Sequence, residues 1–221
     1  IRDRHLLIAL ALGTMLTSCG ASVSTATVTG PAAYVDPYIG SGGHGHVFVG
    51  ASVPFGAIQA GPQNIHKGWD WCSGYHHSDS IVIGFAHTHL SGTGCTDMGD
   101  VQIMPYTGEL RSKRGRQEDI GGSCSSYYSH DNESVSPGYY SLKMNNGVQI
   151  EMTASTRTAL HRITYPEAEG RRLLINLEEG NGDGAYDTYL RQTDAHTVEG
   201  YRFSKGWGPH KVFFALTTDK P

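Results

Sequence analysis

The sequence predicts an all-β protein, a large antiparallel β-sandwich, and three observations predict it. Val148, Ile150, Met152 and Ala154 alternate with Gln149, Glu151, Thr153 and Ser155, the period-two pattern of a half-buried strand. Short runs of this kind are punctuated throughout by Gly, Pro, Asn and Asp, the residues that make tight turns. Beyond residue 33 no segment sustains a helical period, and strands joined without crossover helices pair antiparallel.

The first residues read as an export signal rather than as fold. Arg2, Arg4 and His5 precede the apolar run Leu6 to Leu12, and small residues follow. That run is far shorter than the roughly 20 residues a membrane-spanning helix needs. Leu16-Thr17-Ser18-Cys19 looks like a bacterial lipobox, in which the cysteine becomes the lipidated first residue. The expected organisation is therefore a signal peptide over 1–18, lipidation at Cys19, a flexible tether over 19–33 and a β-sandwich domain over 34–221. Residues 20–33 are small and polar with no periodicity, as a tether requires. The missing initiator Met points to a trimmed gene, and the domain is expected to be truncated at its far end as well.

Within the domain the strands fall in order. Ile81–Thr88 and Val101–Tyr106 come first. Tyr140, Leu142 and Met144 then alternate with Ser141 and Lys143, and Asn146-Gly147 separates this run from Val148–Ala154, a strong hairpin signal. Arg157–Thr164, Arg171–Leu177, Thr197–Phe203 and Val212–Thr217 complete the set.

Composition excludes several functions. Net charge is −4, and Arg111-Ser112-Lys113-Arg114-Gly115-Arg116 is the only basic cluster, too small for a nucleic-acid groove. Hydrophobic residues make up 38 %, enough for a core, so wholesale disorder is excluded. Glycine, at 29 residues, is about twice its usual share and bunches in particular loops. Lipidation of Cys19 leaves Cys72, Cys95 and Cys124, so at most one disulfide forms and at least one thiol stays free.

Chemistry-bearing residues concentrate in the first half, where seven of the 12 histidines lie between His44 and His89. Gly40-Ser41-Gly42-Gly43-His44-Gly45 matches GxGxxG by letters, but no helix follows, so it reads as a loop shaping a pocket rather than a phosphate cradle. His44-Gly45-His46 and His87-Thr88-His89 place imidazoles at i and i+2. On strands these pairs could chelate a metal; otherwise they hydrogen-bond within a polar pocket. Trp69-Asp70-Trp71-Cys72-Ser73-Gly74-Tyr75-His76 is dense in side chains suited to sugars, because an indole face stacks on pyranose C–H bonds. On an extended segment both indoles would share one wall, with Asp70 turned away. The plain alternative is a pair of core tryptophans. Ser91 to Asp100 offers hydroxyls, amides and carboxylates without a GxSxG elbow, and Cys95 with His87 or His89 makes only a weak nucleophile pair. Asn181-Gly182-Asp183-Gly184 lacks the spacing of a calcium loop and reads as a β-turn.

Val35-Asp36-Pro37-Tyr38-Ile39-Gly40-Ser41-Gly42-Gly43-His44-Gly45-His46 resembles the opening signature of glycoside hydrolase family 92, the bacterial exo-acting α-mannosidases. Val53-Pro54-Phe55-Gly56, the Gly68–His76 segment and Gly84-Phe85-Ala86-His87-Thr88-His89-Leu90-Ser91-Gly92-Thr93-Gly94 continue the resemblance in order. So do Ser129-His130-Asp131-Asn132-Glu133, Pro137-Gly138-Tyr139-Tyr140, His161-Arg162 before Tyr165-Pro166, and Gly200-Tyr201-Arg202 before Trp207.

The resemblance implies a galactose-mutarotase-like β-sandwich followed, in the full-length enzyme, by a helical (α/α)6 domain. That domain would supply the catalytic acid, the base and the ligands of an essential Ca2+ for an inverting reaction. This chain stops at Pro221, so no catalytic residue and no metal ligand is carried over, and the fragment alone is expected to be inactive. The pocket-wall positions that match are Gly43 and His44; Trp69, Asp70, Trp71 and Cys72; and Ser91, Gly92 and Thr93. Trp71 between Asp70 and Cys72 resembles members acting on α-1,2 linkages. The implied partners are a mannose-containing glycan and the chain's own (α/α)6 domain, with no nucleic acid and membrane contact only through the lipid anchor. The implied location is the periplasm or outer membrane of a Gram-negative bacterium. Two other readings remain open at this point: a non-catalytic carbohydrate-binding module using Trp69 and Trp71, and a cupin-like metalloenzyme using the HxH pairs.

Overall fold

The computed structural model describes residues 29–113, 120–167 and 169–220. The expected signal peptide, Cys19 and most of the tether lie outside the described residues, as do Arg114 to Arg116 of the basic cluster. Residues Gly30–Tyr34 form a 3-10 turn that buries nothing.

Among the described residues fourteen strands follow in order. They are β1 (Ala51–Ser52), β2 (Gln59–Gln63), β3 (Ile81–Val82), β4 (Gly84–Ala86), β5 (Gln102–Thr107), β6 (Ser126–Tyr127) and β7 (Glu133–Ser136). Then come β8 (Tyr139–Lys143), β9 (Gln149–Ala154), β10 (Ala159–Thr164), β11 (Arg171–Asn176), β12 (Ala185–Gln192), β13 (Thr197–Lys205) and β14 (Pro209–Thr217). Every strand pairing is antiparallel. A five-stranded sheet (β1-β2-β4-β5-β11) faces a four-stranded one (β10-β9-β8-β7), and small sheets β12-β13-β14 and β3-β6 flank them. The all-β antiparallel expectation holds.

The core lies between the two larger sheets. On the four-stranded side Tyr140 stands opposite Met152 and Leu142 opposite Ile150, all fully buried. Phe85, Ile103, Ala51 and Ala60 meet them from the five-stranded side. Each such large apolar side chain contributes about 1.5–3 kcal/mol by leaving water. The β8–β9 hairpin turns through Asn145-Asn146-Gly147, where Gly147 supplies the left-handed residue (φ 86°) and its N–H bonds Met144 O.

Two polar ties cross the interior. His87, just after β4, meets His161 of β10 at 2.9 Å between Nε2 atoms, linking the two large sheets. Glu133 accepts hydrogen bonds from Tyr75, Tyr140 and His130, which satisfies a buried carboxylate with three donors.

The single strand expected over Ile81–Thr88 divides at Ile83. The first half pairs with β6 and the second with β2 and β5, so the chain passes from a small sheet to a large one. β12 carries no sequence expectation, because every residue from Tyr186 to Gln192 is exposed and no alternation develops.

Candidate functional site

Three loops meet through direct hydrogen bonds. The first, Gly40 to His46, folds back on itself: a Cβ on Gly45 would sit 2.2 Å from Gly40 O, so only glycine fits. The second is the 3-10 turn Trp69–Trp71, entered at Gly68 (φ 135°). The third runs from Ser91 to Gly94. Gly92 N donates to His46 O at 2.8 Å, and the Trp69 Nε1–H donates to Gly94 O at 2.9 Å.

At the junction stands Asp70. Its Oδ1 lies 2.6 Å from His44 Nδ1 and 3.5 Å from His46 Nε2. The hydrogen bond from His44 holds its carboxyl below the usual carboxylate range, so it is an anion at neutral pH. The Trp69 indole is exposed and meets both imidazoles, edge-on to His46 at 4.2 Å between centroids and tilted to His44 at 5.6 Å. His46 is buried and holds φ 55°, a left-handed conformation costly for a residue with a Cβ. The outcome is a loop junction that presents the exposed Trp69 ring, the half-buried Asp70 carboxylate and the exposed His44 imidazole, with His46 buried behind them.

The expectation that both indoles share a wall, with Asp70 turned away, is overturned. Residues 69–71 form a 3-10 turn, which advances about 120° per residue rather than 180°. Asp70 therefore turns toward His44 and His46, and Trp71 turns away from them. Trp71 Nε1 donates to Asp79 Oδ2 at 3.0 Å, its ring stacks on His76 at 4.5 Å, and Lys67 bridges back to Asp79 at 2.9 Å. Cys72 is buried beneath the turn, donating its thiol hydrogen to Trp69 O, and burial pushes its pKa up. Trp71 meets Asp79 and His76, and Cys72 the Trp69 carbonyl, and neither hydrogen-bonds Asp70, His44 or His46. Gly43 contributes its carbonyl to His76 Nε2 at 3.2 Å and leaves open space where a side chain would stand. Ser91 and Gly92 are exposed at the rim, and Thr93 bonds the Cys95 carbonyl locally. The Gly94 carbonyl is the site group that the sequence did not point to; His46 was legible as half of an HxH pair, but the left-handed turn that aims it at Asp70 is invisible in the letters.

Among the described residues neither HxH pair belongs to a compact set of metal-ligating groups. Asp70 separates His44 from His46. His87 and His89 each spend Nδ1 on a backbone carbonyl, Val101 O and Gln59 O. Burial lowers the pKa of His87, and brings those of His89 and His161 down to about 4 and about 3. No thiol is among their hydrogen-bond partners, so the Cys95 nucleophile pair has no geometry behind it either. Cys72, Cys95 and Cys124 are all free thiols.

One other set of side chains, Asp97, Asp183 and His210, is compact enough to consider for a metal. Its groups are already engaged. Asp97 accepts from the N–H groups of Met98 and Gly208, and Asp183 pairs with buried Arg202 at 3.0 Å. His210 Nε2 faces Asp100 at 2.9 Å. Arg202 meets the set only through Asp183 Oδ2, and Asp183 Oδ1 is buried without a hydrogen-bond partner. The turn at Asn181–Gly184 is present as expected, and it delivers Asp183 to this ion-pair hub.

Residues 34–221 match the Glycosyl hydrolase family 92 N-terminal domain. A family GH92 α-mannosidase from Bacteroides thetaiotaomicron, solved in complex with mannoimidazole, is 39 % identical with a TM-score of 0.82, covering 86 % of this chain and 25 % of that one. A family GH92 inverting mannosidase from the same organism is 26 % identical with a TM-score of 0.65, covering 83 % of this chain and 24 % of that one. A curated relative from Arthroderma benhamiae, an uncharacterized secreted glycosidase, is 32 % identical over 158 residues, which is 67 % of this chain and 18 % of the relative. The chain thus spans about a quarter of the length of the solved relatives. Antiparallel sheets with these matches are those of a glycosyl hydrolase N-terminal domain. The chain belongs to glycoside hydrolase family 92, whose N-terminal domain it represents.

Proposed function

We propose that this chain is the substrate-facing amino-terminal domain of an exported exo-α-mannosidase that removes mannose from glycoprotein glycans. The observation that carries the reading is the loop junction at Asp70, in a domain 39 % identical to a GH92 α-mannosidase. The exposed Trp69 face would stack on the C–H side of a sugar ring. Asp70, oriented by His44, would accept hydrogen bonds from its hydroxyls. Gly43 and Gly92 leave room for the ring to approach backbone.

The same proposal includes inversion of configuration, an α-1,2 preference, lipid anchoring through Cys19 and calcium dependence. The acid, the base and the calcium ligands belong to the partner (α/α)6 domain. The Asp97, Asp183 and His210 set is not assigned that calcium in this reading, because Asp97 accepts from two backbone N–H groups and Asp183 Oδ2 pairs with Arg202.

The 221-residue chain should not hydrolyse an aryl α-mannoside, with or without calcium, whereas the full-length enzyme should. Turnover that follows the purified fragment would refute this. In the full-length enzyme, Trp69→Ala should remove stacking worth roughly 1–3 kcal/mol. That corresponds to about a 5- to 150-fold loss of kcat/KM on a mannobiose. An aryl mannoside, with different contacts there, should lose less. Trp71→Phe, which touches Asp79 and His76 instead, should lower Tm and spare the ratio of the two substrates. Equal losses for Trp69→Ala on both substrates with a lowered Tm would refute the sugar contact at Trp69. Comparing α-1,2-, α-1,3- and α-1,6-linked mannobioses tests the linkage.

A further inference from the structure

Cys72 and Cys95 stand next to two of the loops that meet at the junction, and two separate sets of contacts draw the chain together around them. On one side the Trp69 Nε1–H donates to Gly94 O at 2.9 Å, and a Cβ on Gly94 would lie 3.2 Å from that same nitrogen. On the other, Asn181 Nδ2 donates to Cys72 O at 2.6 Å and Asn181 N to Met98 O at 2.7 Å. A Cβ on the neighbouring Gly182 would lie 2.5 Å from Thr96 Oγ1. Cys72 is thus bonded to Trp69 and Asn181, while the two chain neighbours of Cys95 lie against Trp69 and Gly182.

The two thiols sense each other. Burial is the first cause that holds the Cys72 pKa up, and the Cys95 thiol is the next. Cys124 keeps different company: its thiol donates to Arg111 O at 3.4 Å and interacts with Tyr106. Cys72 is buried and Cys95 partly exposed, so a reagent from solvent meets Cys95 first. The Trp69 carbonyl keeps a partner when Cys72 gives up its thiol hydrogen, since it also accepts from the Cys72 backbone N–H at 3.1 Å. No buried acceptor is orphaned by the change.

We propose that Cys72 and Cys95 are a disulfide site whose closure staples the Trp69–Trp71 turn to the Ser91 to Gly94 loop, with Cys124 left as the free thiol. In the reaction the Cys95 thiolate attacks one sulfur of a donor, a protein disulfide or glutathione disulfide, and the donor's other sulfur leaves as a thiolate. Cys72 then loses its proton and attacks Cys95 Sγ, which forms the Cys72–Cys95 bond and releases the donor's second sulfur. Two protein thiols are oxidised, one donor disulfide is reduced, and the two protons end on the donor's sulfurs. The bridge holds the turn that carries Trp69 and Asp70 against the third loop without touching either side chain. That the pair is oxidised in service rests on the reading of the chain as exported, to where disulfides persist.

Peptide mapping of the full-length enzyme tests this. The folded protein is reduced, freed of reductant, exposed to glutathione disulfide, then denatured and alkylated without further reduction. The expected product is a peptide pair joining Cys72 to Cys95, lighter by two hydrogens than the two thiol peptides, with Cys124 alkylated. Hydrogen exchange over residues 91–95 should slow about 10-fold on oxidation and recover with dithiothreitol. Cys95→Ser should show neither the bridge nor the slowing, and Cys124→Ser should show both. Alkylation of Cys72 and Cys95 alike would overturn the proposal. So would a reaction that stops at a glutathione adduct on Cys95, or a bridge from Cys124 to either residue. A Cys72–Cys95 bridge that leaves exchange over 91–95 unchanged would overturn the staple. The glutathione arm does not depend on export: a bridge formed there, with both thiols free in protein recovered from its own cell envelope, would refute the export reading and uphold the pairing. A bridge in a protein without α-mannosidase activity would sink the functional reading and leave the disulfide site standing; activity with both thiols still alkylated would do the reverse.

Discussion

Replacing Arg202 with methionine is expected to destabilise the domain by about 3–5 kcal/mol, the usual consequence of removing one partner from a buried ion pair. Arg202 is fully buried, and its guanidinium bonds Asp100, Asp183 Oδ2 at 3.0 Å and the Leu177 carbonyl at 3.0 Å. Asp100 also accepts from Thr88 Oγ1 at 2.6 Å and faces His210. Methionine fills much of the volume but leaves two buried carboxylates without their cation. Urea unfolding at pH 7 measures the loss. A change below about 1 kcal/mol would contradict the account. The double variant Arg202→Met with Asp183→Asn should recover part of the loss, since the residues share one network. The exposed pair Arg191–Glu199 on the same sheet provides the contrast, and Arg191→Ala should cost no more than about 1 kcal/mol.

The second large effect is acid sensitivity. His89 and His161 titrate at about 4 and about 3 in the folded chain, against an ordinary 6.5. The unfolded chain therefore binds more protons than the folded one between those values. Stability is fully present above pH 6.5 and falls as pH drops toward 4, by about 1.4 kcal/mol per proton and pH unit at most. For His89 alone the loss approaches 3 kcal/mol in order of magnitude. His87 and His161 act as a pair, because one imidazole donates and the other accepts in their mutual hydrogen bond, and protonating either sets two N–H groups against each other. His210 works in the opposite direction. Its pKa is raised by the Gly208 carbonyl and Asp100 against the desolvation that lowers it, so its contribution is present below pH 6.5 and is lost as pH rises. It offsets part of the decline. Urea midpoints at pH 7, 6 and 5 should fall steadily. His89→Asn keeps a donor toward Gln59 O but cannot titrate, so its curve should be flatter by close to one proton. An unchanged slope would remove His89 as a source.

Much of the fold was legible because half-buried strands write their burial into the letters. Tyr140, Leu142, Ile150 and Met152 alternate with polar residues and are the residues that meet in the core. The β12 strand was not legible, since residues exposed on both faces leave no alternation to read. At the site, Gly43, His44, Trp69, Asp70 and Gly92 stand at or beside the junction, while Trp71 and Cys72 turn from it. A two-residue spacing indicates a shared face only once the backbone is known to be extended, and nothing in Trp-Asp-Trp announces a 3-10 turn. The histidines followed the same logic. Their number and spacing were plain, but their role depended on partners 14 to 110 residues away, such as Val101 for His87 and Asp100 for His210.

The sequence by itself determined the antiparallel all-β class, the order of most strands, the family and the stretch that carries the chemistry. All of these reside in local patterns of burial, turns and motif order, which survive without a folded chain. Tertiary structure alone decided that Asp70 rather than Trp71 meets His44 and His46, that His87 and His161 join two sheets as neutral rings, and that Arg202 stands between Asp100 and Asp183. The reason is physical. These outcomes depend on which distant donors, acceptors and charges share one low-dielectric space, and that is set by sheet packing and loop geometry rather than by neighbours along the chain.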